Sequence, residues 1–496
     1  MNTSENTFSG PALPCATDWN AINWPKVEKY VNNLQQRIYR AASLKDYRRV
    51  KKLQRMFLHS KAVLLVAIRK VTFFNSGRYT SGIDGFKALS TEERAKLFDT
   101  MKNKNIKLHK PKPVYRRHIK KKNGKYRSLG IPVIVDRIYQ EIIRMALEPQ
   151  FEVKFEPTSY GFRPKRSCHD ATSRIMENIH DWRWTWVFEG DFEACFDTLS
   201  HNFILDEIEG FPAHDLVERF LKAGYVDNNC FYNTTKGTPQ GGILSPLLAN
   251  IALNGLESVL KISYRKFNKN GWEYHMAIGK YRVVRYADDF VIFAQNKKDI
   301  EAIYGILEPY LEDRGLKLAE DKTKISHISD GFDFLGFNFR RYKTNSGPIH
   351  LSKPSKSSIK AFASKIGEIC KEYHGHSVDA LIDRLNPFIR GVANYWKPSS
   401  AKKTFNKMDH FIWQKIFKFI KRMHPNKSLD WLIKTYFPTN EDDQHTGKWT
   451  LTGPKKGNTL VKMSWIPIKR HVMIEFNNSP YDKSKEEYFI DRSLSC

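Results

Sequence analysis

Hydrophobic positions along residues 24–75 return every three or four residues, the spacing that keeps one side of an α-helix apolar. Val27, Tyr30, Val31, Leu34, Ile38 and Ala41 form one such series. The next helix interleaves Leu53, Phe57 and Leu64 with Arg48, Arg49, Lys51, Lys52 and Arg55. Its basic side fits a solvated surface or a face laid along phosphates. "NSGRYTSGIDGF" then breaks the helix with Gly77, Gly82 and Gly85. "KKKNGKYRSLGIP" sets an Asn-Gly pair at 123–124 between two β-capable runs, a strong short-range hairpin signal. After Pro132 a helix is expected, with Ile138, Ile142, Met145 and Ala146 on one face. Between 160 and 340 short apolar strands alternate with helices, an α+β pattern with antiparallel hairpins. From about 353 the pattern is helical and basic again, and beyond Pro438 "GKWTLTG", "LVKMSWIPI" and "HVMIEF" read as short strands. There is no long-period repeat and no low-complexity tract.

Charge changes this picture most. Lys and Arg number 82 against 53 Asp and Glu, a formal net charge of +29. Residues 101–127 alone hold 12 Lys or Arg and no acid, and the acid-free window runs from Lys102 to Val135. Such an excess repels itself unless a polyanion neutralises it, which points to nucleic acid. A hydrophobic content of 41% with 13% aromatic residues supports packed cores, and 496 residues suggest roughly three domains. Cys15, Cys168, Cys195, Cys230, Cys370 and Cys496 form no CxxC pair, which argues against a zinc ribbon or a disulfide framework and fits a reducing compartment. No run of about 18 apolar residues is present, and the start resembles neither a secretory signal nor an organellar transit peptide. An intracellular protein that does not bind membrane is expected.

The chemistry gathers around "VVRYADDFVIFAQ", residues 283–295. Asp288 and Asp289 stand side by side in a tight turn between two buried strands. A further acid, Asp191 in "FEGDFEACFDTLSH", ends an apolar strand where the chain turns toward helix. Three carboxylates converging from two strand ends can hold two Mg²⁺, which prefers oxygen ligands and keeps part of its shell for phosphates. A structural ion-pair cluster would use the same residue types. In "GFRPKRSCHDA", Arg163, Lys165 and Arg166 read either as template-strand contacts or as a basic loop, while His169 reads as structural.

In order along the chain, "GIDGF", "YRSLGIP", "SYGFRPKRSCHDA", "GDFEACFD", "GTPQGGILSPLLANIALNGLE", "YADD", "GLKLAEDKTKI", "FDFLGF" and "IRGVANYWK" resemble the blocks of group II intron-encoded reverse transcriptase/maturases. The resemblance spans roughly residues 27–480. It implies a right-hand polymerase with fingers, palm and helical thumb, a basic helical N-terminal extension and a small C-terminal maturase-type tail. The expected boundaries are a polar leader at 1–23, the extension at 24–100, fingers and palm at 101–350, the thumb at 351–437 and the tail at 438–496.

Carried over by position, the resemblance makes Asp191, Asp288 and Asp289 the metal-binding catalytic acids, with the Phe192 backbone carbonyl assisting. Phe196 falls where an aromatic ring abuts the sugar and excludes a 2′-hydroxyl. Lys125 and Arg127 match finger cations that hold the incoming triphosphate. Gln240 matches a nucleotide contact, beside Gly241 and Gly242, where backbone can approach closely. Lys322 matches a lysine that aids the pyrophosphate leaving group. The cofactor implied is two Mg²⁺, with Mn²⁺ a possible substitute.

The implied partners are dNTPs, an RNA template with a DNA primer, a DNA target site and the parent group II intron RNA, with homodimerisation open. The implied role is RNA-directed DNA polymerase activity combined with assistance to splicing and retromobility. The compartment implied is bacterial cytoplasm, with nucleoid association, or an organellar matrix. Many relatives continue into an HNH endonuclease with paired CxxC ligands. The Cys spacing and the end at "YFIDRSLSC" lead us to expect no target cleavage by this polypeptide, so the priming 3′-OH would come from elsewhere. Two rival readings are a splicing cofactor with a decayed polymerase, and a domesticated enzyme of phage defence or DNA repair.

Overall fold

A computed structural model describes residues 18–120, 124, 126–269, 272–438 and 449–495, without the side chains of 269, 272 and 273. The chain forms two compact units. The first takes its residues from 18–167, 188–324 and 474–495, the second from 168–187 and 325–473.

In the first unit, helix Trp24–Ser43 follows the expected periodicity, but the single helix expected to carry Leu53, Phe57 and Leu64 is two, Tyr47–Leu58 and Lys61–Arg69, divided where Ser60 caps the second. Each begins at a side-chain cap: Asn23, Asp46 and Ser60 accept bonds from the amides of Lys26, Arg49 and Val63. They pack on helix Ile134–Glu152, which is buried on nearly every side rather than along one face. Pro149 lies inside that helix and lacks the N–H that would bond the carbonyl of Met145. The side-chain amide of Gln35 donates to that carbonyl instead, at 3.0 Å, and Gln54 donates to the carbonyl of Ala146 at 3.2 Å. Two polar side chains from the basic extension thus satisfy a Pro-disrupted helix, which makes the extension an integral part of this unit.

The predicted hairpin is present as strands Val114–Lys120 and Tyr126–Ile131, antiparallel from Tyr115 opposite Ile131 to Lys120 opposite Tyr126. Residues 121–123 and 125, Lys125 among them, lie outside the described residues. The hairpin extends into a four-stranded sheet through a parallel pairing with Tyr225–Asp227, itself paired with Cys230–Tyr232. A second sheet carries Arg282–Tyr286 beside Asp289–Ala294, and Asp289–Ala294 beside Trp186–Gly190. Val284, Val291, Ile292 and Phe293 are fully buried in it. A two-stranded ribbon, Ser263–Lys269 with Trp272–Ile278, was not foreseen from the sequence.

The second unit holds a three-stranded antiparallel sheet, Phe332–Phe334, Phe337–Tyr342 and Ile349–Pro354. With it go helices Cys168–His180, Lys356–Glu372, Val378–Trp396, Lys402–Met423 and Leu429–Tyr436. His169 is structural here: its Nε2 meets the carbonyl of Tyr395 at 2.8 Å.

The strands expected beyond Pro438 do not form among the described residues, where one isolated bridge joins Thr452 and Thr459. Side chains on helices take the place of a neighbouring strand. Asp409 accepts from the amides of Met463 and Ser464 at 2.7 and 2.9 Å, and Asn386 accepts from Val461 at 2.9 Å. The last segment, 474–495, belongs to the first unit. There Phe476 stacks on His275 at 4.1 Å, the Tyr481 hydroxyl donates to Glu148 at 2.5 Å, and Glu486–Ser495 is helical. Among the described residues no helix is long and apolar enough to cross a membrane.

Candidate active site

The two strands around the acidic pair are joined by Ala287 and Asp288, with Tyr286 opposite Asp289. Ala287 takes the left-handed backbone conformation, φ 58°, which reverses the chain within two residues. Asp191 follows the end of strand Trp186–Gly190. It is fixed by an antiparallel bridge: its carbonyl accepts from Ala319 at 2.8 Å, and the next amide but one, Glu193, donates to Lys317 at 2.8 Å. Those two bonds flank Phe192, so the bridge leaves the Phe192 carbonyl unused. The Phe192 ring is buried and stacked on Phe290 at 4.9 Å.

The electrostatics of Asp288 and Asp289 are strained. Burial, and then the Asp191 charge, push Asp288 above the usual carboxylate range, while Arg127 and Lys322 pull it down. Asp289 is pushed up to about 6, first by its packed surroundings and then by Asp288 and Asp191. Its side chain reaches the surface, so solvent softens the effect; the repulsion between neighbouring carboxylates gives it its direction. Lys322, 57% exposed, reaches Asp191 with its Nζ at 2.5 Å and is held above its ordinary pKa chiefly by that hydrogen bond.

On the other side, Arg127 Nε donates to Gln240 Oε1 at 2.8 Å, and the amide of Gly130 donates to the Gln240 carbonyl at 2.7 Å. The hairpin and the "TPQGG" loop are therefore one construction. Gly241 is obligatory within it: φ is +117°, and a Cβ would stand 2.7 Å from the Gly130 carbonyl oxygen. Phe196 is 8% exposed and meets Phe162 edge to face at 6.4 Å.

Two of the residues expected to contact a template lie buried. Arg163, 5% exposed, is held by Glu152 through Nε and Nη2, both at 2.9 Å, and its Nη1 caps the carbonyls of Glu156 and Ser159. Arg166 is buried as well and donates to the carbonyls of Pro157 and Phe476. A guanidinium offers five donors, which suits closing a buried loop, and neither side chain presents itself to a template. Lys165 is exposed between them.

A divalent ion suits this donor set. The side chains offer oxygen only, and carboxylates held above their range by burial and by one another gain from a cation of higher charge. Among the described residues no group of three acid, His or Cys side chains stands at ligating spacing. With Lys322 on Asp191, the acids must re-aim to share an ion.

Sequence reasoning passed over two buried polar residues behind the turn, Asn250 and Arg285. An arginine inside the apolar run "VVRY" was the available signal.

A sheet whose turn presents paired acids, facing a cationic hairpin tied to a Gly-rich loop, is the arrangement of a nucleic-acid polymerase. Residues 119–339 match the family described as reverse transcriptase (RNA-dependent DNA polymerase). Residues 19–101 match the N-terminal domain of reverse transcriptase, and 359–437 the group II intron maturase-specific domain. Protein YkfC of Escherichia coli (strain K12) is 33% identical over 352 residues, covering 65% of this chain and 91% of that protein. The group II intron-encoded protein LtrA of Lactococcus lactis subsp. cremoris is 31% identical over 423 residues, 68% of this chain and 69% of the relative. The chain belongs to the group II intron-encoded reverse transcriptase/maturase family. Its fold is that of a right-hand polymerase, and its activity is RNA-directed DNA polymerisation with a maturase part fitted to splicing. The family's catalysis depends on divalent metal, and its members bind RNA and use template and primer.

Proposed function

We propose that Asp191, Asp288 and Asp289, with the Phe192 carbonyl, hold two Mg²⁺ and that the chain joins dNTPs to a primer 3′-OH on an RNA template. Bound there, the ions would neutralise charge on the attacking and leaving oxygens of phosphoryl transfer. The observation that carries this reading is the raised pair Asp288 and Asp289 beside Asp191, with Lys322 acting on both and Arg127 on Asp288.

The chain's own residues do the rest. Arg127, steadied by Gln240, offers its remaining guanidinium donors to a triphosphate, and Lys125, matched by resemblance, is proposed as the second cation. Lys322 sits on Asp191 and would pass to the departing pyrophosphate once Asp191 turns to metal. Phe196 supports selection against a 2′-hydroxyl. Lys165, exposed beside two buried arginines, is the remaining candidate in its loop for a backbone contact with nucleic acid. The second unit and the basic extension are proposed to bind the parent intron RNA, recognised by shape and backbone.

Asp288→Asn should abolish cDNA synthesis in a primer-extension assay and leave RNA affinity unchanged. An undiminished polymerase would sink the assignment.

A further inference from the structure

The turn that carries Asp288 and Asp289 is held from behind by a buried polar network. Ala287 is a non-glycine residue in left-handed backbone, a conformation that costs on the order of 1 kcal/mol and persists only where its surroundings impose it. What imposes it can be read from the contacts. Arg285, 1% exposed, sends Nη1 to the carbonyl of Ala287 at 3.1 Å and to Oδ1 of Asn250 at 3.1 Å. Asn250, also 1% exposed and on helix Ser245–Ala252, sends Nδ2 to the carbonyl of Gly161 at 2.7 Å. This amide orientation is the one that satisfies both ends, since its oxygen faces a guanidinium and its nitrogen a carbonyl.

The segment leading to Gly161 runs alongside the same strand. Arg285 donates its amide to Thr158 at 3.0 Å and accepts from Tyr160 at 2.9 Å. A Cβ on Gly161 would overlap the backbone nitrogen of Ala287. The loop backbone therefore lies directly against the turn, and only glycine permits it. Within Arg285, Nε and Nη2 are buried and meet no protein acceptor among the described residues. A guanidinium is expensive to bury with donors unmet, so a core chosen for stability alone would place an apolar side chain there. The buried charge acts with Glu156, and what it does beyond that pairing is to bond the turn.

We propose that Asn250 and Arg285, with Gly161, are positioning residues that fix the Ala287–Asp288 turn so that Asp288 and Asp289 can converge with Asp191 on metal. The inference rests on the assignment of those acids as metal-binding. None of the three touches the reacting atoms. They act through the backbone on which the acids are mounted, and a displacement of about 1 Å in such a mounting is worth up to about 100-fold in rate.

The test is Asn250→Ala, with Arg285→Lys and Gly161→Ala beside it, in the full chain. Arg285→Lys keeps the buried charge but loses the forked donor that bridges Asn250 and Ala287. Three quantities are measured: single-nucleotide primer extension, Mn²⁺ binding followed by electron paramagnetic resonance, and RNA affinity with thermal melting as the check on folding. The expected result is a kcat lower by about 10- to 100-fold and Mn²⁺ affinity lower by about 10-fold or more. The KM for dNTP should stay within about twofold and RNA affinity should not change. Unchanged kcat and Mn²⁺ binding in Asn250→Ala would overturn the proposal. So would loss of melting temperature and RNA binding in proportion to activity in all three variants, which is the behaviour of a merely structural network. Asp288→Asn separates the two readings. If it is dead while Asn250→Ala binds Mn²⁺ normally, the positioning role alone fails. If it is active, the acid assignment fails first.

Discussion

Asp289 should cost the metal-free protein stability at neutral pH, and removing its charge should return it. The carboxyl is moved from 3.8 to about 6 by its packed surroundings, then by Asp288 and Asp191. A raised carboxyl binds its proton more tightly folded than unfolded, so the penalty is absent below pH 3.8. It grows between 3.8 and about 6 and is complete above that. The full difference corresponds to about 3 kcal/mol at about 1.4 kcal/mol per decade. Because the side chain is exposed, screening reduces that to roughly 1 kcal/mol. Asp289→Asn keeps the shape and removes the charge. In chelator at pH 7.5 it should therefore melt roughly 2 °C above the parent, with the gain shrinking through pH 6 and 5 and gone by pH 4. Mg²⁺ should raise the melting temperature of the parent more than that of the variant, and the variant should not extend a primer. A variant that melts at or below the parent at pH 7.5, or whose gain persists unchanged to pH 4, would refute the reasoning.

Two further outcomes follow from burial and shape. Arg163→Ala leaves Glu152 as an unpaired buried carboxylate and should destabilise the first unit by about 3–5 kcal/mol. Denaturant unfolding reads this, and an intact fold with weakened, less salt-dependent RNA binding would restore the template-contact reading. Phe196→Ala should raise the ratio of ribonucleotide to deoxyribonucleotide incorporation by roughly 10-fold or more, scored by primer extension with each nucleotide. An unchanged ratio would leave Phe196 as core packing against Phe162.

Much of this was legible because it is local. The first helix of the extension declares itself by spacing, and the hairpin by its Asn-Gly pair. The acids at 191, 288 and 289 are visible because charge at the ends of apolar strands is rare. What was not legible depends on partners far away in sequence. The apolar runs after Pro438 have strand composition, yet Asp409 and Asn386 bind their amides and no neighbouring strand is needed. The bond from Gln35 to Met145, 110 positions apart in the chain, answers a defect created by Pro149, and no periodicity announces it.

The "GFRPKR" loop shows why residue type alone misassigns an arginine in so basic a chain. Lysine carries a compact, strongly hydrated charge that resists burial, whereas a guanidinium is weakly hydrated and spreads five donors in a plane. Where a loop packs with carbonyls turned inward, arginine is the residue that can answer them. Arg163 does so at Glu156 and Ser159, and Arg166 at Pro157 and Phe476. Lys165 between them stays in solvent. The same division separates Arg285, buried behind the acids, from Lys322, exposed in front of them. Near this site, buried arginine shapes backbone and exposed lysine meets charge. A basic residue beside the acidic turn is therefore read by its hydration before it is read by its sign.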